Sequence, residues 1–266
     1  MKSMFSAMIV LSVVLLPAVS SSELPSGEEV AKNINARDEG VAVSRNVLME
    51  MTDKRGKTRT RKTRGFRKYY GDEKRTVIFY LSPKNVKDTA FLTYDYPEVQ
   101  RDDDQWLYIP AARKVRRISA SDRGDYFLGT DFTFEDIKLE SKVSLDDYQR
   151  STLREEVLDG LKTYVVEAIP VSKAVAKELG YSKVLQWVDP EIWMTRKAEF
   201  YDVRGKLLKT TYTKDIKQVQ GIWTAHLLEV NNHKTRHKTR FTFSDVYYDA
   251  SINDGFFTER ALRRGL

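Results

Sequence analysis

The side chains best suited to metal chemistry are few in this sequence, and their spacing does not support a site. Two of its three histidines, His233 and His237, are four residues apart, the spacing of a metal-binding pair on a helix. Their segment has the pattern of a strand or turn, in which four residues span about 13 Å, too far for one metal ion. The run 102–104 (DDD) lacks the alternating spacing of a calcium loop and suits the acidic end of a hairpin. We therefore predict no metal site.

Catalytic motifs are also missing from the sequence. It contains no nucleophile-elbow, zinc-protease, phosphate-loop or dinucleotide-binding pattern. The adjacent carboxylates at 146–147 and 155–156 lie in polar sequence that predicts loops, where neighbouring acids are common. The absence of cysteine excludes a disulfide scaffold, a thiol nucleophile and cysteine-based metal sites. We predict a protein that is not an enzyme and needs no cofactor.

Binding of an apolar ligand is the chemistry that the sequence supports best, because aromatic residues recur along its predicted strands. The chain has 14 Tyr, 12 Phe and 4 Trp. Many of them would serve as ordinary core residues and cross-strand pairs. The others could line a cavity for acyl chains or another lipid. The candidates for this cavity wall are Trp106, Tyr108, Phe132, Phe134, Trp187, Phe200 and Trp223.

Positive charge is concentrated in one predicted strand. Nine Lys or Arg fall between residues 54 and 68 and alternate with threonines, so that neither face of the strand is apolar. Such a strand suits a projecting hairpin or a sheet edge, where lysine also blocks unwanted pairing. The pattern fits a solvated edge, and it also fits docking to anionic lipid headgroups or to an acidic partner. The docking candidates are Lys57, Arg59, Arg61, Lys62, Arg64 and Arg67, and the basic stretch 233–240 is a candidate for the same side.

The N-terminus predicts export. Lys2 precedes the apolar run 8–16, and Ala18 and Ser20 supply the small residues that precede a cleavage point. The run is shorter than the roughly 20 residues that a spanning helix needs, which favours a cleaved signal over residues 1–20. The formal charge of +7 would suggest nucleic acid, but an exported protein rarely meets it, so we predict none. Without disulfides, a Gram-negative periplasm fits better than eukaryotic secretion.

The elements that would position these residues are mostly strands. Ser26 and Glu29 have the spacing of a capping box for a first helix that ends near Gly40. The apolar period then changes to two, and about ten or eleven strands follow with short turns, broken by a short helix or loop at 131–139. Helix–strand alternation is absent, which disfavours a parallel sheet. We predict one antiparallel domain over residues 21–266, with short helices that cover one face and leave a ligand cavity.

Two runs carry a more specific pattern. The first is W-x-Y-x-P at 106–110, followed by a basic cluster, and the second is G-x-D-F-T-x-x-D at 129–136. The arginines of the cluster either contact an anionic headgroup or hold the aspartates of the second run through charge-assisted hydrogen bonds. The residues in these roles are Arg113, Arg116, Arg117, Asp131 and Asp136.

These runs resemble the signature of the LolA-like outer-membrane lipoprotein-sorting family, in particular its exported branch, which is often encoded beside RND or MMPL-type exporters. Similarity continues at 187–189, 199–202 and 254–257, and covers the chain from about residue 40 to its end. The resemblance implies an unclosed antiparallel β-barrel with a helical lid and an apolar interior for acyl chains. It predicts a periplasmic carrier of lipoprotein or lipid cargo. The alternative is an accessory subunit that docks an RND-type exporter through the basic hairpin.

Overall fold

Thirteen antiparallel strands form one sheet in the computed structural model, which describes residues 23–98 and 101–266. The predicted signal segment, residues 1–20, lies outside the described residues. The strands are β1 (Ala42–Thr52), β2 (Thr58–Tyr70), β3 (Glu73–Ser82), β4 (Ala90–Asp95), β5 (Asp104–Ile109), β6 (Lys114–Ile118), β7 (Tyr148–Leu158), β8 (Leu161–Pro170), β9 (Tyr181–Asp189), β10 (Met194–Asp202), β11 (Leu207–Val219), β12 (Ile222–Asn232) and β13 (His237–Tyr248). The order across the sheet is β6-β5-β4-β3-β2-β1-β13-β12-β11-β10-β9-β8-β7, so β6 and β7 are its two edges.

This architecture confirms the predicted fold class, a mainly β chain with an unclosed antiparallel sheet and a few short helices. The number of strands is thirteen rather than ten or eleven. The sequence pattern did not reveal β7, whose carboxylates at 155–156 were predicted to lie in a loop. Most of its side chains are exposed, because it is an edge strand that pairs with β8 alone. An edge strand with little buried surface has no clear apolar period to detect.

The basic strand β2 is not the projecting hairpin or sheet edge that its composition predicts. It pairs with β1 over residues 58–68 and with β3 from residue 62 onward, while residues 58–61 extend beyond β3. A largely polar strand is tolerated inside the sheet because its buried positions are the small Thr63 and Gly65, the aromatic Phe66 and the ion-paired Arg67.

In the part of the chain that the structure describes, four short α-helices accompany the sheet: α1 (Gly27–Ala36), α2 (Phe134–Leu139), α3 (Lys173–Leu179) and α4 (Glu259–Arg264). The predicted capping box of α1 is confirmed, because Ser26 Oγ accepts from the Glu29 amide at 3.2 Å and the Glu29 carboxylate accepts from the Ser26 amide at 2.7 Å. The helix ends at Ala36, earlier than predicted. Over residues 23–98 and 101–266, no helix has the length and apolarity that crossing a membrane requires.

The two faces of the sheet carry separate cores. On the face that we call the inner face, Phe127 and Phe134, from the segment that links β6 to β7, pack with Phe91 of β4. On the opposite, outer face, Phe257 and Leu262 of the C-terminal segment cover β3 and β4. Successive strand residues point to opposite faces, so each strand contributes alternate side chains to the two cores.

Helix α1 lies against the edge strand β7 at Gly27. A Cβ atom at this position would lie 2.5 Å from the backbones of Arg150 and Ser151, closer than real contacts allow. Alanine is favoured over glycine within a helix by about 1 kcal/mol, so helix propensity alone predicts a gain for Gly27→Ala. We expect instead a melting temperature lower by about 3 °C or more, because the two backbones must separate. Thermal unfolding followed by circular dichroism measures this, and an unchanged or higher melting temperature would contradict the close packing.

Candidate functional site

A cavity of about 260 Å³ lies on the inner face of the sheet. Strands from both halves of the sheet contribute to its wall, and helix α2 and the segment after it close it from the other side. The apolar part of the wall includes Val47, Met49, Ile78, Ala198, Phe200 and Phe243. An apolar ligand that packed against such a wall would gain about 25 cal/mol for each Å² of apolar surface removed from water.

Two small side chains form part of this wall. Ala168 of β8 and Ala198 of β10 are buried in one cluster with Val184, and Tyr148 and Phe200 pack beside them. All five residues line the cavity. A larger side chain at either alanine would project into the volume that a ligand could fill.

One end of the cavity is lined by charged side chains centred on Glu39. This carboxylate accepts hydrogen bonds from Arg67 at 3.0 Å, from Arg37 at 3.1 Å and from the Tyr69 hydroxyl at 2.8 Å. Burial by itself would raise the pKa of Glu39. The nearby positive charges of Arg67, Lys74, Arg37 and Lys142 outweigh it and lower the pKa to about 2. Glu39 therefore stays ionised and compensates the buried Arg67 guanidinium.

The segment that follows α2 is fastened to this charged cluster and to α1. The Glu140 carboxylate pairs with Arg45, and the Ser141 hydroxyl donates to Glu39. Asn35 of α1 binds the backbone of Val143 twice, donating at 2.8 Å and accepting at 2.9 Å. These contacts join α1, the segment and the sheet into one wall of the cavity.

A second polar cluster lies beside the cavity. Arg123 donates to both carboxylate oxygens of Asp147 at 2.9 Å, and Ser144 also donates to Asp147 at 2.7 Å. Glu135 is buried next to Arg123 and Lys138, and burial raises its pKa because these two positive charges offset only part of the desolvation. The cluster fixes the segment between α2 and β7.

Comparison with known proteins places this architecture in a family. A solved structure from Vibrio parahaemolyticus, described as an outer membrane lipoprotein-sorting protein domain, is 32% identical, with a TM-score of 0.80, over 90% of this chain and 98% of that one. The chain belongs to the LolA-like family of outer-membrane lipoprotein-sorting proteins. A family model described only as "uncharacterized protein" matches residues 72–264 of this LolA-like chain.

Two further solved structures share the LolA-like fold. A DUF1329 family protein from Desulfovibrio piger is 29% identical, with a TM-score of 0.81, over 89% of this chain and 97% of that one. A LolA superfamily protein from Nitrosomonas europaea is 22% identical, with a TM-score of 0.66, over 89% of this chain and 99% of that one, which shows the fold alone. No curated protein matches the sequence.

Three of the seven aromatic residues predicted for the cavity of this LolA-like chain lie together on its wall. They are Phe132, Phe200 and Trp223. A fourth, Phe134, is on the same face but packs in the inner core, with its ring centroid 5.4 Å from that of Phe127.

The other three aromatic candidates lie on the outer face. Trp106 and Tyr108 pack in the cluster that α4 covers. The Trp187 indole N–H donates to Glu156 at 2.9 Å, and the Lys197 ammonium lies 4.0 Å from the centre of its ring. Strand alternation separates the two faces but does not say which one faces the cavity.

The six predicted docking residues of β2 divide into two groups. Lys57, Arg59 and Lys62 are exposed. The other three form hydrogen bonds within the fold. Arg61 donates to the Leu128 carbonyl, and Arg64 donates to the side chains of Asn46 and Ser44. Arg67 is buried and donates to the Glu39 carboxylate.

The arginines of the W-x-Y-x-P run do not hold the two aspartates of the second run. Arg116 pairs with Asp122 and Arg117 with Asp104, and Arg113 is exposed in the turn before β6. The partners of Asp131 are His237 at 2.6 Å and Thr239 at 2.7 Å, and the partner of Asp136 is the buried Lys209 at 2.6 Å. Residues on strands β11 and β13 therefore hold the run 129–136 in place, because this run lies against those two strands.

The charged cluster around Glu39 was not predicted from the sequence of this LolA-like chain. Some of its members lie in the part of the chain between the end of α1 and β2. The others lie in the segment after α2, about 100 residues further along the chain. No local spacing relates them, so only the fold reveals the site.

Proposed function

We propose that this LolA-like protein is a carrier that binds the acyl chains of a lipoprotein, or another lipid, in the cavity of the inner face. The observation that carries this proposal is the largely apolar wall of a cavity of about 260 Å³ on the inner face. Transfer to an acceptor that covers the acyl chains better needs no covalent chemistry, so the protein acts without being an enzyme. The mature chain, residues 21–266, acts as one carrier domain in the periplasm after the signal over residues 1–20 is removed.

Lipid content and acyl binding test this proposal. We expect native mass spectrometry and solvent extraction of the purified protein to recover bound lipid. A fluorescent fatty-acid probe should bind to the delipidated protein with saturation near one site per chain and be displaced by unlabelled lipid. Absence of both bound lipid and saturable probe binding would contradict the carrier function.

A second candidate function is that of an accessory subunit that docks an RND or MMPL-type exporter. It is favoured by three exposed residues of the β1–β2 hairpin, Lys57, Arg59 and Lys62, the first two of which lie where the hairpin extends beyond β3. The same charges suit an anionic membrane surface. Replacing all three with glutamine should weaken co-purification with the exporter and leave binding of the fatty-acid probe unchanged. Unchanged co-purification would exclude a docking role for the hairpin.

A further inference from the structure

The antiparallel sheet brings six basic connections to one of its ends. Because each strand reverses direction, the connections between strands alternate between the two ends of the sheet. The register of the strand pairs places six connections at the same end. We call these connections the basic rim, and they are residues 53–57, 83–89, 110–114, 171–180, 202–206 and 233–236.

Every connection of the basic rim contains at least two exposed lysines or arginines. Together they hold thirteen Lys or Arg, all exposed, against four Asp or Glu. The predicted basic hairpin and the basic stretch 233–240 contribute two of the six connections. The rest of the rim comes from connections that are far apart in sequence, so the charge of this surface is a property of the topology.

The opposite end of the sheet carries the opposite charge. Its connections are residues 71–72, 96–103, 159–160, 190–193, 220–221 and 249–258, and their sequence holds eight Asp or Glu and one Arg. Exposed carboxylates there include Asp72, Glu98, Asp159 and Glu191. One end of the sheet is therefore positively charged and the other end negatively charged. This charge separation would orient the molecule in the field of a charged surface.

Exposed apolar side chains lie among the basic residues of the rim. Leu81 is 42% exposed beside the connection 83–89, and Ile109 is 40% exposed beside 110–114. Val171, Val203 and Leu207 are also exposed, between 36% and 57%, within or beside the connections 171–180 and 202–206. Lysine and arginine interspersed with exposed apolar side chains are typical of surfaces that lie in the headgroup region of a bilayer.

We propose that the basic rim docks the protein end-on to a membrane surface rich in anionic lipid, with the acidic end pointing away. This inference deepens the proposed function and rests on it, because end-on docking would bring a lipid carrier to the source or acceptor of its cargo. A bilayer fits better than a protein partner because the positive charge extends over connections of both halves of the sheet. The exposed apolar residues have a place in headgroups but would be left in water by an acidic protein surface alone.

Vesicle binding by a rim variant and a charge-matched control tests the docking. The rim variant replaces one lysine in each connection with glutamine, at Lys54, Lys87, Lys114, Lys173, Lys206 and Lys234. The control replaces six exposed basic residues outside the rim, at Lys32, Lys162, Lys217, Arg260, Arg263 and Arg264. Both variants lose the same charge. Co-sedimentation is measured with vesicles of phosphatidylcholine that contain either no or 30% phosphatidylglycerol.

We expect the unmodified protein to bind the vesicles with phosphatidylglycerol more tightly than the neutral ones, and raised salt to weaken this binding. The rim variant should partition onto these vesicles at least about tenfold less, whereas the control should change by less than about threefold. Equal losses in both variants would overturn the proposal, and so would an absence of binding to either vesicle, which would leave an acidic protein as the partner. Binding of the fatty-acid probe, measured on the same samples, reports separately on the carrier function and should be unchanged in both variants.

Discussion

The Ala198→Trp variant is expected to bind the fatty-acid probe at least about tenfold more weakly than the unmodified protein, a loss of about 1.4 kcal/mol or more. Ala198 is 3% exposed and lies on the cavity wall beside Phe200. Because Ala198 lines the cavity, we expect the added ring to occupy space that an acyl chain would otherwise fill.

The control for this variant is Ala250→Trp, which adds the same ring at an exposed position in the connection after β13. Its probe affinity should match that of the unmodified protein. Titration of the probe measures both affinities, and circular dichroism verifies that both variants are folded. Full affinity in a folded Ala198→Trp variant would show that the ligand does not bind in this cavity.

The Glu39→Gln variant is expected to lose about 3–5 kcal/mol of unfolding free energy, the loss typical when one member of a buried ion pair is removed. Arg67 is 4% exposed, and without Glu39 its remaining carboxylate partner would be Glu140 at 3.6 Å. Urea unfolding measures the change. The matched control is Glu155→Gln, which breaks the exposed pair with Lys162 and should cost less than about 1 kcal/mol. Equal losses in the two variants would contradict a structural role for the Glu39 cluster.

The same cluster predicts how stability depends on pH. The pKa of Glu39 falls from its ordinary value of 4.5 to about 2 on folding, so the unfolded chain takes up a proton first as the pH is lowered. The stabilisation is complete above pH 4.5 and is lost as the pH falls from 4.5 through 2, with a total of about 3 kcal/mol. Melting temperatures measured between pH 2 and 6 should therefore fall less steeply in Glu39→Gln than in the unmodified protein. Parallel curves would contradict the lowered pKa.

The fold was largely predictable because most strands alternate apolar and polar residues and end at recognisable turns. Thus β1 and α1 were both identified, α1 with its capping box, from local residues alone. The strand β7 was missed because an exposed edge strand keeps little of this period. For β2 the composition predicted an edge, but the carboxylate of Glu39 lets its Arg67 lie buried in the interior of the sheet.

The candidate site was less predictable for a physical reason. The sequence indicates that Trp187 and Phe200 lie on strands, yet both faces of this sheet are covered, so strand alternation does not reveal which residue faces the cavity. Phe200 lines the cavity, whereas Trp187 lies on the outer face under Lys197. Ion pairs such as Arg67 with Glu140 join distant parts of the chain, and local spacing carries no signal for them.

Strands β6 and β7 are the two edges of the sheet and do not pair with each other, which affects the size of ligand that the cavity can hold. In a closed barrel, the number of strands and their stagger fix the radius. A larger ligand can then enter only if hydrogen bonds between strands break. A sheet with two unpaired edge strands can change its curvature while all hydrogen bonds between neighbouring strands stay intact. Under the proposed carrier function, we therefore expect the width of the cavity to adapt to ligands with different numbers of acyl chains through a change in sheet curvature.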